Sequence, residues 1–249
     1  GEIQDRNGNV FAKSEKVYNV ILDCVAVNGG DEEEQAKLKE QEIDYIEPTI
    51  DALVKTLGLD EAELRSLITD PATSGSRYQV LKKGISLEEK QTFEDYTEID
   101  SEKEYTKTDL ARRRCVQGVW FEEDYVRDYP LKTLASNVIG VGSNSGGASG
   151  LESYYTDVLS GTDGREFGYL DENSDLQRTI VEPTNGNTIV STLDINIQQV
   201  VEKYIAEFDA EYGKDAEDGK GAKNIGVIVG NPQNGEIYAM ASNHGFDLT

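Results

Sequence analysis

Two short runs near the end of the chain, Ile225-Gly-Val-Ile-Val229 and Ile237-Tyr-Ala-Met-Ala241, are apolar at nearly every position. Between them lies Asn231-Pro-Gln-Asn-Gly235, where Asn234-Gly235 supplies the positive-φ residues of a tight turn. The pattern reads as strand, turn, strand. A strand apolar on both faces belongs in a sheet covered on both sides. These residues therefore call for helices above and below them and for further strands alongside. The only nearby helix in the sequence is 195–212, which can cover one face.

The rest of the chain mixes helices and strands. Residues 1–27 read as strands broken by the turn Asp5-Arg-Asn-Gly8 and closed by Gly29-Gly30. Residues 31–70 read as helical. Asp31-Glu-Glu-Glu34 suits the positive end of a helix dipole, and Ile43, Ile46, Ile50, Leu53, Val54 and Leu57 share one face. Pro48 predicts a kink or a restart within that stretch. Asp60 with Glu63, and Ser86 with Glu89, are capping-box patterns that open two further helices. Residues 97–109 are polar without period and read as a loop. Val116, Val119, Trp120 and Phe121 read as strand, and 165–193 as a hairpin with a return strand. Asp194 caps the clearest helix, whose apolar face is Ile197, Val200, Val201, Tyr204, Ile205 and Phe208, with Gly213 at its end. No βαβ alternation occurs, which predicts an α+β fold rather than a doubly wound sheet.

Charge narrows the function classes. Asp and Glu number 48 against 24 Lys and Arg, a net charge of −24. That field repels nucleic acid and anionic lipid. Arg112-Arg-Arg114 is the local exception and reads as a paired surface patch rather than a phosphate site. No run approaches the roughly 18 apolar residues of a membrane span, and no signal peptide is visible. The chain opens at Gly1 without Met, so it reads as an excised piece whose anchor lies upstream. Cys24 and Cys115 sit in strand-like runs too far apart for a zinc site. They read as buried free thiols, with a disulfide as the alternative. The single His244 excludes any multi-histidine metal site.

Three motifs fail on inspection. Gly140-Val-Gly-Ser-Asn-Ser-Gly-Gly-Ala-Ser-Gly150 lacks both the third glycine of a dinucleotide loop and any Gly-Lys-Ser/Thr. Asp171, Asn173, Asp175 and Glu182 occupy calcium-loop positions, but Leu176 stands where glycine is required, so an acidic hairpin turn is preferred. A Ser-His-Asp site would have to use His244, and nothing directs a serine to it.

Five stretches, in order, carry a resemblance. They are Gly1–Ala12 with Asp5-Arg-Asn-Gly8; Arg127-Asp-Tyr-Pro130 with Leu134-Ala-Ser-Asn-Val-Ile-Gly140; Gly147-Ala-Ser-Gly150-Leu-Glu152 with Leu159-Ser-Gly161; Ser191-Thr-Leu-Asp194 with Ile197-Gln198; and Asn231-Pro through Ala241. The first four resemble the N-terminal motifs of class B penicillin-binding proteins, and the last resembles the first hairpin of that family's transpeptidase domain. Asn137 and Asn231 depart from the residues common in the family, His and Asp.

The resemblance implies a pedestal, or dimerisation domain, from 1–27 and 110–187, a helical head inserted at 28–109, and the start of a transpeptidase domain at 188–249. Its structural motif residues would be Asp5, Arg6, Gly8, Arg127, Pro130, Gly140, Gly150, Glu152 and Asp194, with Arg6, Arg127 and Glu152 joined in one polar cluster. The family's chemistry needs Ser-x-x-Lys, Ser-x-Asn and Lys-Thr/Ser-Gly. None occurs in this sequence, so no catalytic, cofactor or metal residue is expected here, and no small-molecule ligand. The implied parent cross-links peptidoglycan at the outer face of the bacterial membrane, beside a membrane glycan polymerase and other cell-wall proteins. A stand-alone extracellular interaction domain is the alternative. Self-association through the edges of the C-terminal hairpin is a further expectation.

Overall fold

The computed structural model describes all residues except 101, 144–145, 163, 171–175 and 218–220. Asp171, Asn173 and Asp175 of the calcium-loop pattern therefore lie outside the described residues. By internal packing the chain divides into two units, one of residues 16–125 and one of residues 1–15 with 126–249. The divisions fall inside two long strands.

Along the chain, β1 (Ile3–Gln4) and β2 (Val10–Leu22) are followed by α1 (Cys24–Val27), α2 (Glu32–Glu40), α3 (Ile46–Leu57) and α4 (Glu61–Thr69). Then come β3 (Gln79–Ile85), α5 (Leu87–Thr97), α6 (Lys107–Arg114) and β4 (Val119–Asp128). Asp60 and Ser86 cap their helices as expected, but only Ser86 forms the full box, as Asp31 does at α2; Asp60 makes the forward half alone. Asp31 and Ser86 make reciprocal capping boxes with Glu34 and Glu89. The Asp60 carboxylate accepts from the Glu63 N–H at 2.9 Å. Pro48 lies in the first turn of α3, where its missing N–H costs no helical hydrogen bond, so the helix restarts rather than kinks.

In the 16–125 unit, β2 pairs antiparallel with β3, Tyr18 opposite Ile85 and Ile21 opposite Val80. β4 also pairs with β2, and the Asp23 N–H to Gly118 carbonyl bond at 2.7 Å marks its start. One core joins Tyr18, Val20 and Leu22 of β2 to Ile50, Leu53 and Leu57 of α3, with Leu64, Ile68, Ile85 and Phe93. Each such side chain contributes about 1.5–3 kcal/mol on leaving water.

Two segments differ from the sequence-based expectation. Cys24 opens α1 behind an Asp23 cap rather than continuing a strand. Arg112–Arg114 form the last turn of α6, a helix capped by Thr106 where loop and strand were expected. Cations in a last helical turn favour the negative dipole end. The partners of Arg112 and Arg113 are backbone carbonyls and rings rather than acids. Arg112 donates to the Tyr96 carbonyl and stacks 3.7 Å from that ring's centroid. Arg113 donates to the Asp95 and Glu98 carbonyls at 2.7 Å each. The arginines thus satisfy the open carbonyls at the end of α5. Both cysteines are free thiols, Cys24 buried and Cys115 half-buried.

Beyond β4 the chain forms α7 (Ser136–Ile139), short β5 (Gly142–Ser143) and β6 (Gly146–Gly147), α8 (Gly150–Tyr154) and α9 (Thr156–Leu159). The hairpin β7 (Arg165–Leu170) and β8 (Leu176–Val181) leads to β9 (Ile189–Val190), α10 (Ile195–Tyr212) and the closing hairpin β10 (Gly226–Gly230) and β11 (Ile237–Ser242). β1 lies antiparallel to β2 and parallel to β9, with Ile3 opposite both Ala12 and Ile189. Ile3, Phe11, Tyr129, Leu134, Ile139, Leu159 and Leu193 fill the core of this unit. Helices and strands are mixed without βαβ alternation, the α+β class.

The closing hairpin has two unlike edges. Along β11 the Gln198 side-chain amide accepts from the Met240 N–H at 2.9 Å and donates to its carbonyl at 3.0 Å. The Asp194 N–H donates to the Tyr238 carbonyl, and the Thr192 hydroxyl bridges the N–H and carbonyl of Ile237. α10 accordingly presents Gln198, Glu202 and Ile205 inward. The expected apolar stripe is split: Ile205 is buried and Ile197 and Val201 are half-buried, whereas Val200, Tyr204 and Phe208 point out, being 53%, 61% and 48% exposed. Satisfying the Met240 backbone selects this rotation of the helix, since an unpaired buried peptide group costs about 1–3 kcal/mol. β10 pairs with β11 alone among the described residues, and its Ile228 is 65% exposed. Open edges with apolar side chains favour self-pairing. In sedimentation at high concentration the chain is expected to associate and an Ile228→Lys chain to remain monomeric. Equal association of the two would show that β10 is not the contact.

Candidate functional site

The motif residues converge on two polar centres, both in the unit of residues 1–15 and 126–249. The first is the carboxylate of Glu152, in the first turn of α8. Arg127, near the end of β4, donates from Nε to Glu152 Oε1 at 2.7 Å, and the two side chains are only 11% and 6% exposed. Arg127 Nη1 reaches the Gly1 carbonyl at 2.6 Å and the Ser14 hydroxyl at 3.1 Å. Arg127 Nη2 is buried without a hydrogen-bond partner among the described residues. The buried Tyr129 hydroxyl donates to Glu152 Oε1 at 3.4 Å and accepts from the Gly142 N–H at 2.6 Å. Burial, with the nearby Glu152 charge, pushes the Tyr129 phenol above its ordinary range against the pull of the Gly142 bond and Arg127.

Glycine makes this approach possible. Gly140 and Gly150 take φ of 75° and 59°, and a Cβ on either would collide with the backbone of the other's segment. Residues 138–140 and 149–150 thus form a crossing of two backbones that seats Glu152. Pro130 follows directly, starting the turn that ends β4, where the Lys132 N–H bonds the Tyr129 carbonyl.

The second centre is Asp5, fully buried in the turn between β1 and β2. Its carboxylate accepts from the Asn7 and Asn9 N–H groups at 2.7 and 2.8 Å, from Asn9 Nδ2 at 3.0 Å and from the Ile195 N–H at 3.2 Å. One side chain thus closes its own turn and holds the start of α10. Gly8 completes the turn through its N–H to the Asp5 carbonyl. Asp194 caps α10 through the Asn196 and Ile197 N–H groups and accepts from Asn7 Nδ2 at 3.2 Å. Burial alone would raise the Asp5 carboxyl, but the bonds from Asn9, Asn7 and Ile195 outweigh it and leave it below its ordinary value.

Arg127 and Glu152 meet as expected, but Arg6 does not join them. It lies 3.5 Å from Glu236 and 4.5 Å over the Tyr238 ring, both on the closing hairpin. The Arg6 N–H is fixed to the Leu193 carbonyl at 2.9 Å, which turns the residue toward that hairpin. The sequence placed Tyr129 and Gln198 inside motifs without assigning either a role, and did not single out Glu202. Glu202 accepts from Gln198 Nε2 at 2.8 Å and from the Ala135 N–H at 2.7 Å. It thereby holds Ala135 at φ 55°, a conformation that L-residues other than glycine seldom adopt. Gln198 and Glu202 are one helical turn apart, the signal that identifies them as a pair. Among the described residues no group of three or more His, Cys, Asp or Glu could hold a metal, and no helix is long and apolar enough to cross a membrane. The chemistry of these centres is that of fixing backbone, since each carboxylate is engaged by donors.

Two predictions follow from this geometry. Glu152→Ala strands the buried guanidinium and is expected to lower unfolding free energy by about 3–5 kcal/mol in urea titration. Glu152→Ala with Arg127→Met recovers part of that loss, because the orphan charge is gone; a double variant as unstable as the sum of the two singles would contradict the coupling. A depressed folded pKa stabilises above the unfolded value, ordinarily 3.8 for Asp5, and that stabilisation is lost as pH falls through the lower folded value. Asp5→Asn is therefore expected to be less stable by about 1–3 kcal/mol near neutrality, with the difference shrinking below that range. A pH-independent difference would refute the assignment.

The same residues carry the comparison with known proteins. Residues 1–191 match the penicillin-binding protein dimerisation domain family. The chain is 31% identical over 137 residues to stage V sporulation protein D of Bacillus subtilis, covering 53% of this chain and 20% of that protein. It is 23% identical over 275 residues to peptidoglycan D,D-transpeptidase MrdA of Escherichia coli K12, covering 99% of this chain and 36% of that one. It shares its fold with penicillin-binding protein 2X from Streptococcus thermophilus, with a TM-score of 0.68 and 23% identity over 99% of this chain and 34% of that one. It also shares it with penicillin-binding protein PBP2 in its complex with MreC from Helicobacter pylori, with a TM-score of 0.56 and 20% identity over 100% and 42% of the two chains. The chain spans only a fifth to about a third of the length of these curated relatives. With the family's match covering most of its length, and its motif residues building the two centres just described, the chain belongs to the penicillin-binding protein dimerisation domain family.

Proposed function

We propose that this chain is the non-catalytic N-terminal module of a longer class B penicillin-binding protein, a peptidoglycan D,D-transpeptidase. Its task is to position the catalytic domain and to contact other cell-wall proteins. The observation that carries the reading is the family match over residues 1–191, reinforced by the interlock of its motif residues at Glu152 and Asp5. A buried ion pair, a buried turn carboxylate and a backbone crossing make a stiff support. The absence of Ser-x-x-Lys, Ser-x-Asn and Lys-Thr/Ser-Gly from the sequence assigns the acyl-accepting step to residues outside it.

The partner role draws support from the relative solved with MreC. By the same reasoning the parent works at the extracytoplasmic face of the membrane, held by an upstream helix, beside a glycan polymerase of the elongation, division or sporulation machinery. A labelled penicillin is expected to leave no adduct with residues 1–249 on a denaturing gel, and to label a longer product of the same gene that carries Ser-x-x-Lys. A stable adduct on this chain would overturn the non-catalytic assignment. A stop codon directly after Thr249 would favour a stand-alone interaction domain.

A further inference from the structure

The 16–125 unit carries an open groove of about 460 Å³ between α5 and the outer side of β4. Phe93 from α5 and Val116, Val119, Trp120 and Phe121 line it. The floor is continuous with the core, since Val116, Val119 and Phe121 pack against buried Phe93 and its neighbours. The Phe93 and Phe121 rings meet edge to face at 5.4 Å. Among the described residues β2 is the only strand that pairs with β4. The groove therefore combines an apolar floor with an unpaired strand edge, the two elements that strand addition uses.

Charge identifies the occupant. Glu94 and Glu98 line the α5 wall, and Glu122 and Glu123 continue along β4; Glu94 is paired with Lys90 and Glu123 with Lys16 at 2.8 Å, so among the described residues Glu98 and Glu122 are the carboxylates here without a cation. Glu122 receives hydrogen bonds from the Tyr78 hydroxyl at 2.7 Å and Trp120 Nε1 at 3.2 Å, neutral donors that leave its charge in place. Lys90 is the cation in the lining, and it is engaged by Glu94 at 3.2 Å and by the Tyr18 ring. Acidic side chains on an edge strand repel a second acidic copy and so guard against self-pairing. They attract a strand that alternates basic and apolar residues.

We propose that this groove is a docking site for an extended, basic segment of a partner protein, added as a strand to the outer edge of β4 with its apolar side chains over Phe93, Val119 and Phe121. The site stands on the groove itself and does not require the parent to be a transpeptidase.

The chain contains a single tryptophan, Trp120, and it lines the groove. Its emission is therefore a local reporter. The probe is a fluorescein-labelled peptide of alternating lysine and valine, titrated into the full chain at physiological salt and followed by anisotropy, with an unlabelled copy for Trp120 emission. Saturable binding with a Trp120 change is expected. A copy N-methylated on alternate peptide groups keeps the charge but cannot complete the ladder; loss of two or so hydrogen bonds is expected to weaken it about tenfold or more. Glu94→Lys with Glu98→Lys, the first on α5 and the second its exposed C-cap, is expected to weaken binding at least as much, with the circular dichroism spectrum unchanged. Absence of binding would overturn the proposal. So would equal binding of the N-methylated peptide, which signals attraction to net charge alone, or binding without a Trp120 response. Equal binding of a glutamate–valine peptide would refute the charge assignment and with it the proposed partner.

Discussion

A carboxylate taken out of water must be met by donors, and Glu152 is met by Arg127 and Tyr129. Much of this unit follows from that requirement. Arg127 can reach Glu152 only if β4 ends beside α8. Glu152 can sit there only because Gly140 and Gly150 let two backbones cross without side chains between them. Arg127 then spends Nη1 on Gly1 and Ser14, which fixes the chain start and β2 to the same point. Desolvation makes such a pair a poor source of net stability compared with an apolar replacement. What it supplies is intolerance of misplacement, the property a support needs.

Asp5 solves the same problem differently. Its charge is met by peptide N–H groups and an asparagine amide rather than by a cation. The Ile195 bond carries the constraint from the first turn of the chain to the start of α10. From there Gln198 and Glu202 extend it, one to the Met240 backbone and the other to Ala135. Segments far apart in sequence are thus tied by a few side chains, each bonded to backbone, so that register rather than mere proximity is set. The groove in the 16–125 unit has the opposite character, with an apolar floor open to solvent along a strand that still has an edge to offer.

What was legible in the sequence was local. Asp31, Asp60, Ser86 and Asp194 cap helices because an N-cap is a contact between residues two or three apart. The turn at Asp5 and the restart at Pro48 are local in the same way. The rotation of α10 was not legible. Periodicity named Ile197, Val200, Val201, Tyr204, Ile205 and Phe208 as its inner face; Ile205 is buried, but the helix turns Gln198 inward to serve Met240, 42 residues away, which leaves Val200, Tyr204 and Phe208 exposed. Arg6 was misplaced for a similar reason, since its direction is set by the Leu193 carbonyl. The arginine triplet read as a paired surface patch, and its place at a helix end was hidden because the carbonyls ending α5 that it meets belong to another element. The Arg127–Glu152 pair was legible through family resemblance, while Tyr129 beside it carried no signal beyond its place in that motif.

The central claim is that the two carboxylate centres make the motif segments a single cooperative support, and native-state hydrogen exchange tests it most directly. The amides of Asn9, Gly142 and Ile195 sit in turns or at the start of secondary-structure elements, where fraying normally allows exchange at low cost. Each is bonded to the side chain of Asp5 or Tyr129. If the centres are one interlocked frame, these three amides exchange with a common opening free energy equal to that of global unfolding, and all three lose protection together in Glu152→Ala. Exchange of each at its own low opening free energy, unaffected by that substitution, would contradict the account.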